Sequence, residues 1–186
     1  MYEPQLRIYT GPMFGSKTTK MLAFLERCSY QSRKVVAFKP KIDERYSDGE
    51  ICTHFGMKFP AINVNSGADI LKESIGFDVV GIDEAFMIDE CSDAVLSLLR
   101  DGKTIAVSSI QISANGNPFD ELKNMMPWAT HIEVCPAVCP ITGKDAYYTV
   151  SKVDSLSEIE VGGADIYEPR AWTHTPFMNH KYGSNL

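Results

Sequence analysis

Between Gln5 and Trp128, short apolar runs alternate with amphipathic segments, and this alternation restricts the fold more than any other feature of the chain. The apolar runs predict strands, and the segments with apolar residues at helical spacing predict helices. The predicted strands are 6–10, 34–40, 59–64, 77–83, 103–110 and 130–134, and the predicted helices are 20–31, 67–74 and 91–102. Such an order forms right-handed βαβ units. The sequence therefore predicts an α/β fold, with helices flanking a mostly parallel sheet.

The composition of the chain changes after Trp128. Residues 135–144 contain two cysteines, two prolines and a glycine, and residues 146–150 and 158–163 alternate like the two strands of a hairpin. From Glu168 onward the sequence is polar and irregular. We therefore predict an α/β domain over 1–134, a small β-rich subdomain over 135–175 and an irregular tail over 176–186.

The overall composition excludes several classes of protein. Of 186 residues, 44% are hydrophobic and 23% charged, as in soluble globular proteins, and the net charge is −6 without a basic stripe, which disfavours nucleic-acid binding. No apolar run approaches the ~18 residues of a membrane helix, and the N-terminal residues lack the order of a signal peptide. Five scattered cysteines do not indicate a disulfide framework. We expect a cytoplasmic protein that binds neither nucleic acid nor membrane.

A glycine-rich loop joins the first predicted strand to the first predicted helix, which is where a phosphate-binding loop, or P-loop, occurs. In such a loop, backbone N–H groups at the start of a helix surround the phosphates of a nucleotide. Lys17 would then bind the β- and γ-phosphates, and the hydroxyl of Thr18 would bind Mg²⁺. The candidate ATP-binding residues here are Gly11, Pro12, Met13, Phe14, Gly15, Ser16, Lys17, Thr18 and Thr19.

One position departs from the general P-loop pattern G-x-x-x-x-G-K-[ST]. Counted from Gly11, the pattern requires glycine at residue 16, whereas this chain has Ser16 and places the glycine one residue earlier, at Gly15. Glycine lets the backbone approach the phosphates without a Cβ atom in the way. Taken alone, the loop is also compatible with a Gly/Ser turn that binds no ligand.

The run Val-Val-Gly-Ile-Asp-Glu, residues 79–84, is the second candidate feature. A parallel strand presents the residues that follow it at the carboxyl edge of the sheet, where open α/β sheets bind ligands. Asp83 is placed to hold Mg²⁺ through water, and Glu84 to accept a proton from an attacking hydroxyl group. A solvated Asp-Glu turn is the structural alternative. Because two such motifs meet in one predicted fold, together they predict an ATP site with Mg²⁺.

Together with several later segments, these motifs resemble the thymidine kinase family of the bacterial, poxviral and animal cytosolic type. Residues 11–19 are similar to that family's loop Gly-Pro-Met-Phe-Ser-Gly-Lys-Ser/Thr, and 80–86 to its strand ending in Asp-Glu. Residues 39–54 resemble its Asp-x-Arg-Tyr-Ser segment, and 160–169 its Gly-Gly-Ala-Asp-x-Tyr lasso, which clamps the nucleoside. The resemblance spans about residues 6–175 and implies a recombinase-like P-loop sheet with a lasso subdomain.

The resemblance implies transfer of the γ-phosphate of ATP to the 5′-hydroxyl of thymidine or deoxyuridine, by a tetramer. Glu84 is then the general base, while Asp83 and Thr18 serve Mg²⁺. Asp43 and Arg45 match residues near the phosphates of ATP. The residues implied for the nucleoside are Met13, Met87, Phe119, Val161, Gly162, Gly163, Ala164 and Tyr167.

The chain departs from the family at the base site and at the zinc site. Ala114 stands where the family usually has an aromatic residue that stacks on thymine. Structural zinc sites are normally closed by four protein ligands, but the family's four zinc cysteines align here with Cys139, Thr142, Ala171 and His174. The sequence therefore does not favour bound zinc. The candidate ligands for it are Cys135, Cys139 and His174, with His180 as a fourth.

Two other functions are compatible with the sequence. An ATP-binding relative with weak or no kinase activity, kept as a binding or regulatory protein, is favoured by Ser16, Ala114 and the eroded zinc site. Glu84 argues against it, because a protein that only binds ATP needs no base beside the metal-binding aspartate. A recombinase-like ATPase acting on nucleic acid is disfavoured by the acidic composition. We therefore expect a nucleoside kinase.

Overall fold

The computed structural model describes residues 3–43, 49–53, 56–153 and 161–181, without the side chains of 179–181. Within these ranges the helices are α1 (Lys17–Tyr30), α2 (Gly67–Glu73), α3 (Cys91–Arg100), α4 (Asp120–Met125) and α5 (Pro176–Lys181). The strands are β1 (Gln5–Thr10), β2 (Val35–Pro40), β3 (Glu50–Cys52), β4 (Lys58–Pro60), β5 (Ile62–Val64), β6 (Val79–Ile82), β7 (Thr104–Ser109), β8 (His131–Val134), β9 (Ala137–Val138), β10 (Asp145–Ala146), β11 (Tyr148–Ser151) and β12 (Tyr167–Arg170). None of the helices so described is long and apolar enough to cross a membrane.

Six of the strands form one sheet in the order β5-β2-β6-β7-β1-β8, and every neighbouring pair in it is parallel. The other strands form three antiparallel pairs, β3 with β4, β9 with β10 and β11 with β12. Two of these pairs make up a small β-rich part that follows the sheet in the chain. The predicted α/β fold with a parallel sheet and a β-rich C-terminal part is confirmed.

The alternation of side chains along the strands forms one core on each face of the sheet. Phe38 and Ile82 belong to the core that α3 covers, whereas Ala37 belongs to the core that α1 covers. Burying a large aliphatic side chain contributes about 1.5–3 kcal/mol, and Leu25 of α1 is fully buried. Gly81 of β6 lies against this leucine, since a Cβ atom there would be 2.4 Å from Cδ1 of Leu25. Close packing of α1 on β6 therefore brings the start of the helix towards the end of the strand.

The described residues differ from the strand pairing predicted for the C-terminal part. β11 pairs with β12, with Ser151 opposite Tyr167, and 161–163, the described part of the predicted strand 158–163, form no strand. Glycine is unfavourable in strands, and Gly163 instead begins a turn, because its carbonyl oxygen accepts the N–H of Tyr167 at 2.9 Å.

The chain after Glu168 is also more ordered than its polar composition predicts. β12 extends to Arg170, and α5 begins at Pro176, where the missing N–H of proline costs nothing because the first turn of a helix leaves that group unpaired. Thr175, just before the helix, is fully buried and donates its hydroxyl to the carbonyl oxygen of Ala171 at 3.0 Å. This buried hydrogen bond therefore holds the start of α5 against the residue that follows β12.

The C-terminal part is attached directly to the loop that joins β1 to α1. The hydroxyl of Thr149 in β11 accepts the backbone N–H of Met13 at 3.0 Å. Phe14 packs on a small apolar cluster formed by Ala137, Cys139, Ala146 and Ala171. The loop is therefore held between the parallel sheet and the β-rich part.

Candidate active site

The glycine-rich loop lies between β1 and α1, as predicted, and wraps around its own lysine. The side chain of Lys17 is buried, and its Nζ donates to the carbonyl oxygen of Pro12 at 2.7 Å. The N–H of Gly15 donates to the same oxygen at 3.3 Å. In P-loops, nucleotide phosphates bind where a lysine amine is held at the first turn of a helix, beneath a curved loop.

The exchanged order of glycine and serine in the loop has a structural explanation. Ser16 has φ 60°, the left-handed conformation that costs a residue with a Cβ atom roughly 1–2 kcal/mol. A Cβ atom on Gly15 would lie 2.3 Å from the carbonyl oxygen of Cys135. Glycine is therefore required at residue 15 by close packing on the end of β8, and strain is accepted at residue 16.

We expect opposite effects from substitutions at these two neighbouring positions. Ser16→Gly should raise the free energy of unfolding by up to about 1 kcal/mol and leave ATP affinity unchanged or improved, because it relieves the left-handed strain. Gly15→Ala should lower the free energy of unfolding by about 1–3 kcal/mol, because the new methyl group meets a backbone oxygen. Urea unfolding and ATP titration of the purified variants measure both effects.

The double variant Gly15→Ser with Ser16→Gly is the matched control, because it restores the order usual in the family. It should resemble Gly15→Ala and not Ser16→Gly. Loss of ATP binding in Ser16→Gly alone would show that the loop needs the serine side chain, contrary to this account.

Asp83 follows β6 at the carboxyl edge of the sheet and faces the start of α1. The hydroxyl of Thr18 donates to its Oδ1 at 2.9 Å. Ser108, near the end of β7, also donates a hydrogen bond to Asp83, and its hydroxyl lies 3.4 Å from that of Thr18. The sequence did not single out Ser108, although a polar residue at the end of a buried strand is a signal for this edge of the sheet.

The electrostatic environment makes the negative charge of Asp83 unfavourable. Burial and the neighbouring Glu84 carboxylate raise the pKa of Asp83 to about 7, against the opposing effects of hydrogen bonds from Ser108 and Thr18 and the charge of Lys17. A cation placed beside this carboxylate would reverse the shift. Carboxylate and hydroxyl oxygens are suitable donors for Mg²⁺. Thr18 and Asp83 therefore fit the Mg²⁺ site predicted for them.

Glu84 has a strained backbone at the position predicted for the general base. Its φ is 47° and its ψ 46°, a left-handed conformation that residues other than glycine rarely adopt. Its carbonyl oxygen accepts the N–H of Met87 at 2.9 Å and so begins a short 3₁₀ helix, Ala85–Met87. Strained residues of this kind concentrate at functional sites. The turn directs the half-buried Glu84 side chain into the same cavity as the loop.

A cavity of about 300 Å³ brings the predicted catalytic residue together with most of the predicted ATP-binding residues, although Gly11, Pro12 and Gly15 are not in its lining. Its lining includes Lys17, Thr18, Asp83 and Glu84 from the two motifs. Asp43 also lines it, as predicted, whereas Arg45 lies outside the described residues. Thr53, from the segment that resembles the family's, also lines it, together with residues that the sequence did not single out; they are Lys39, Glu50, Ile51 and Cys52. The short strand β3 therefore forms a wall of the cavity.

Comparison with known proteins identifies the family. A family model described as thymidine kinase matches residues 4–174. The chain belongs to the thymidine kinase family. It is 34% identical over 182 residues to a protein of Thermococcus kodakarensis named "Thymidine kinase", with 91% of this chain and 92% of that protein covered. It is also similar to the solved structure of the Legionella pneumophila ATPase DotB, with a TM-score of 0.41 and 14% identity over 62% of this chain and 33% of that one, which is too low to bear on function.

The residues that the thymidine kinase resemblance implies for the nucleoside lie in three places. Met13 lines the cavity. Phe119, at the start of α4, packs on Phe86 with ring centroids 4.5 Å apart, and the sequence did not single out Phe86. Met87 lies in the neighbouring 3₁₀ helix. The lasso residues implied by the family, 161–164 and 167, are half-buried or exposed and do not line the cavity.

The lasso is held beside the end of β11. The Nζ of Lys152 donates to the carbonyl oxygen of Ala164 at 2.6 Å, and its backbone N–H donates to that of Ile166 at 2.7 Å. Tyr167 begins β12 directly after this turn. The described part of the lasso therefore has a defined position although it does not reach the cavity.

The zinc site of the thymidine kinase family is not reproduced by the residues present here. Cys135 belongs to the core beneath α1, whereas Cys139 lies in the separate cluster of the β-rich part. His174 is exposed, and its Nδ1 lies 2.8 Å from the hydroxyl of Thr173. Within the described residues, no three His, Cys, Asp or Glu side chains converge on a metal site, and the side chain of His180 lies outside them.

Hydrogen bonds and small side chains stabilise the region where the family has zinc. Burial raises the pKa of the Cys139 thiol, but hydrogen bonds from the Thr142 hydroxyl and from the backbone N–H groups of Ala171, Thr142 and Ile141 bring its pKa down to about 7. The alanines of the Cys139 cluster pack directly around it. This environment accommodates one sulfur atom without further ligands.

We expect the purified protein to carry well under one zinc per chain and to keep its melting temperature in a chelator. The reason is that a structural site needs four ligands, and this region is held by packing and hydrogen bonds. Elemental analysis and thermal melts with and without EDTA provide the measurement. Stoichiometric zinc that is lost together with stability in Cys139→Ser, but not in Cys52→Ser, would contradict the prediction.

Proposed function

We propose that this protein transfers the γ-phosphate of ATP to the 5′-hydroxyl of thymidine or deoxyuridine. The observation that carries the proposal is the 2.9 Å hydrogen bond from Thr18 to Asp83, which joins the P-loop to the strand end that carries Glu84. Lys17 lines the same cavity. Membership of the thymidine kinase family supports a nucleoside kinase.

Each residue has a separate role in this reaction. Lys17 and the N–H groups at the start of α1 bind the β- and γ-phosphates. Thr18 and Asp83 hold Mg²⁺, which when bound neutralises phosphate charge. Glu84 accepts the proton of the nucleoside 5′-hydroxyl as its oxygen attacks the γ-phosphorus, and ADP leaves. The left-handed turn at Glu84 would keep the base in the cavity that Lys17 also lines.

The nucleoside is proposed to bind between the P-loop and the lasso. Met13 and the Phe86–Phe119 pair would supply apolar contacts to the base, and the backbone of Gly162 and Gly163 would supply hydrogen bonds. Asp43 and Arg45 are proposed to act near the phosphates of ATP. We further propose a homotetramer, as the family resemblance implies, and a cytoplasmic location, as the composition indicates.

A panel of nucleosides with γ-labelled ATP and Mg²⁺ tests the reaction. We expect label on thymidine or deoxyuridine, with formation of one ADP per labelled product. ATP hydrolysis stimulated by DNA, without a labelled nucleoside, would instead identify a recombinase-like ATPase and would contradict the proposal.

A second candidate function is that of an ATP-binding relative with weak or no kinase activity. The strained Ser16 and the presence of Ala114 in place of a stacking aromatic residue favour it. The same panel separates the two, because this candidate predicts ATP binding in calorimetry with no labelled product from any nucleoside.

A further inference from the structure

Lys39 is a buried cation at the end of β2 to which the proposed reaction has given no role. Its side chain is 5% exposed, and it lines the same cavity as Lys17 and Glu84. A buried ammonium group is unfavourable unless negative charge lies close to it. Lys39 is therefore a second buried cation in the cavity that contains the P-loop lysine.

The alternation of β2 places Lys39 on the face of the sheet that carries the P-loop. Ala37 belongs to the core beneath α1, and Phe38 to the core on the opposite face. Because successive side chains of a strand point to opposite faces, Lys39 lies on the α1 side. The sequence pattern could not show this, since a lysine before a proline at a strand end is usually solvated.

The register of the sheet places the backbone of Lys39 next to the backbone of Asp83. Phe38 is the partner of Ile82, and the pairing continues because the N–H of Asp83 donates to the carbonyl oxygen of Phe38 at 2.9 Å. Asp83 faces α1 too, since it accepts the hydroxyl of Thr18. Lys39 and Asp83 are therefore neighbours on one face at the carboxyl edge of the sheet.

The order of the strands places the two cavity lysines on opposite sides of Asp83. The P-loop with Lys17 follows β1, which lies on the β7 side of β6, whereas Lys39 lies near the end of β2 on the other side of β6. Among the described residues, Lys17 and Lys39 are the basic residues in the lining, which also contains four acidic side chains. A phosphate held next to Asp83 would therefore have an amine on each side.

We propose that Lys39 binds the γ-phosphate of ATP from the side opposite to Lys17 and stabilises the charge on it during transfer. This inference rests on the proposed function. In phosphoryl transfer, charge is spread over three equatorial oxygens of the moving group, and a fixed cation beside them lowers the barrier. Because ADP lacks this group, Lys39 distinguishes ATP from ADP as well as accelerating transfer.

The test compares Lys39→Met, which keeps the length of the side chain, with Lys39→Arg and with Lys41→Met. Lys41 is an exposed lysine two residues further along, so its variant removes the same charge outside the cavity. Calorimetry with Mg²⁺ gives the dissociation constants of ATP and ADP, and steady-state assays give kcat and KM for thymidine. All measurements use the full chain, and thermal melts report folding.

We expect Lys39→Met to weaken ATP binding by about 10-fold or more while ADP binding changes by less than about twofold, the loss expected for a charged hydrogen bond to the γ-phosphate alone. Its kcat should fall about 10²-fold at unchanged KM for thymidine. Lys39→Arg should recover part of both losses, and Lys41→Met should behave as the wild type.

Equal weakening of ATP and ADP, with a lowered melting temperature, would overturn the proposal, because it would show that Lys39 only balances the charge of Asp83. Wild-type kcat in Lys39→Met would overturn it as well. If that variant does not fold, Lys39→Gln and Lys39→Arg provide the same ATP-to-ADP comparison. Failure of the proposed function would be seen separately. The wild-type protein would then bind ATP more tightly than ADP but would transfer no label to any nucleoside.

Discussion

Replacing Lys17 by alanine is expected to abolish phosphoryl transfer, with kcat/KM for ATP lowered by more than about 10³-fold. The amine of Lys17 is buried beneath the loop and held by the carbonyl oxygen of Pro12 at 2.7 Å, so it is fixed where the β- and γ-phosphates would lie. Alanine removes this charge, and no other lysine of α1 lines the cavity. Steady-state kinetics and ATP titration measure the loss.

Lys20→Ala is the matched control for this prediction. Lys20 lies one turn further along α1 and pairs with Glu133 at the surface, where an ion pair contributes at most about 1 kcal/mol to stability. Its variant should keep wild-type kinetics. Transfer in Lys17→Ala at more than a tenth of the wild-type rate would show that the loop does not bind the transferred phosphate.

Replacing Glu84 by glutamine is expected to lower kcat by roughly 10²–10⁴-fold, the usual contribution of a general base, with ATP affinity near that of the wild type. Glutamine has almost the same shape and length as glutamate, but its amide cannot accept the proton of the 5′-hydroxyl. The left-handed turn at Glu84 should persist, because it is formed by the backbone. Single-turnover measurements at saturating ATP separate the chemical step from binding.

Glu90→Gln controls for both the substitution and the backbone conformation. Glu90 also has a left-handed backbone, with φ 58°, but it is exposed at the start of α3 and does not line the cavity. Its variant should turn over like the wild type. Unchanged kcat in Glu84→Gln would remove this residue from the mechanism and would leave solvent as the proton acceptor.

Three residues that line the cavity have a strained, left-handed backbone; they are Phe14, Ser16 and Glu84. Phe14 packs on the Cys139 cluster of the β-rich part, and its neighbours in the loop are also held, Met13 by a hydrogen bond to Thr149 and Gly15 by close packing on the backbone of Cys135 after β8. Strain of this kind persists only where the surrounding structure imposes it. The β-rich part and the residue that follows β8 therefore fix the shape of this loop.

The sequence by itself determined the features that depend only on residues close to one another in the chain. The alternation of apolar runs with amphipathic segments predicted the parallel sheet, and its strands are present, although the predicted strand 59–64 is divided and only Ile62–Val64 joins the sheet. The P-loop and the Asp83–Glu84 pair were found because both follow a strand directly. In a parallel sheet the carboxyl ends of all the strands lie at one edge. A position directly after a strand was therefore sufficient to predict that these residues lie close together.

Only the tertiary structure decided the features that depend on contacts between distant segments. The strand partner of β11, the separation of Cys135 from Cys139 and the need for glycine at residue 15 each arise from such contacts. Lys39 belongs to the same class, because its place beside Asp83 follows from the register of β2 and β6. The physical reason is that close packing and strand register are properties of the assembled core, whereas periodicity is a property of the chain.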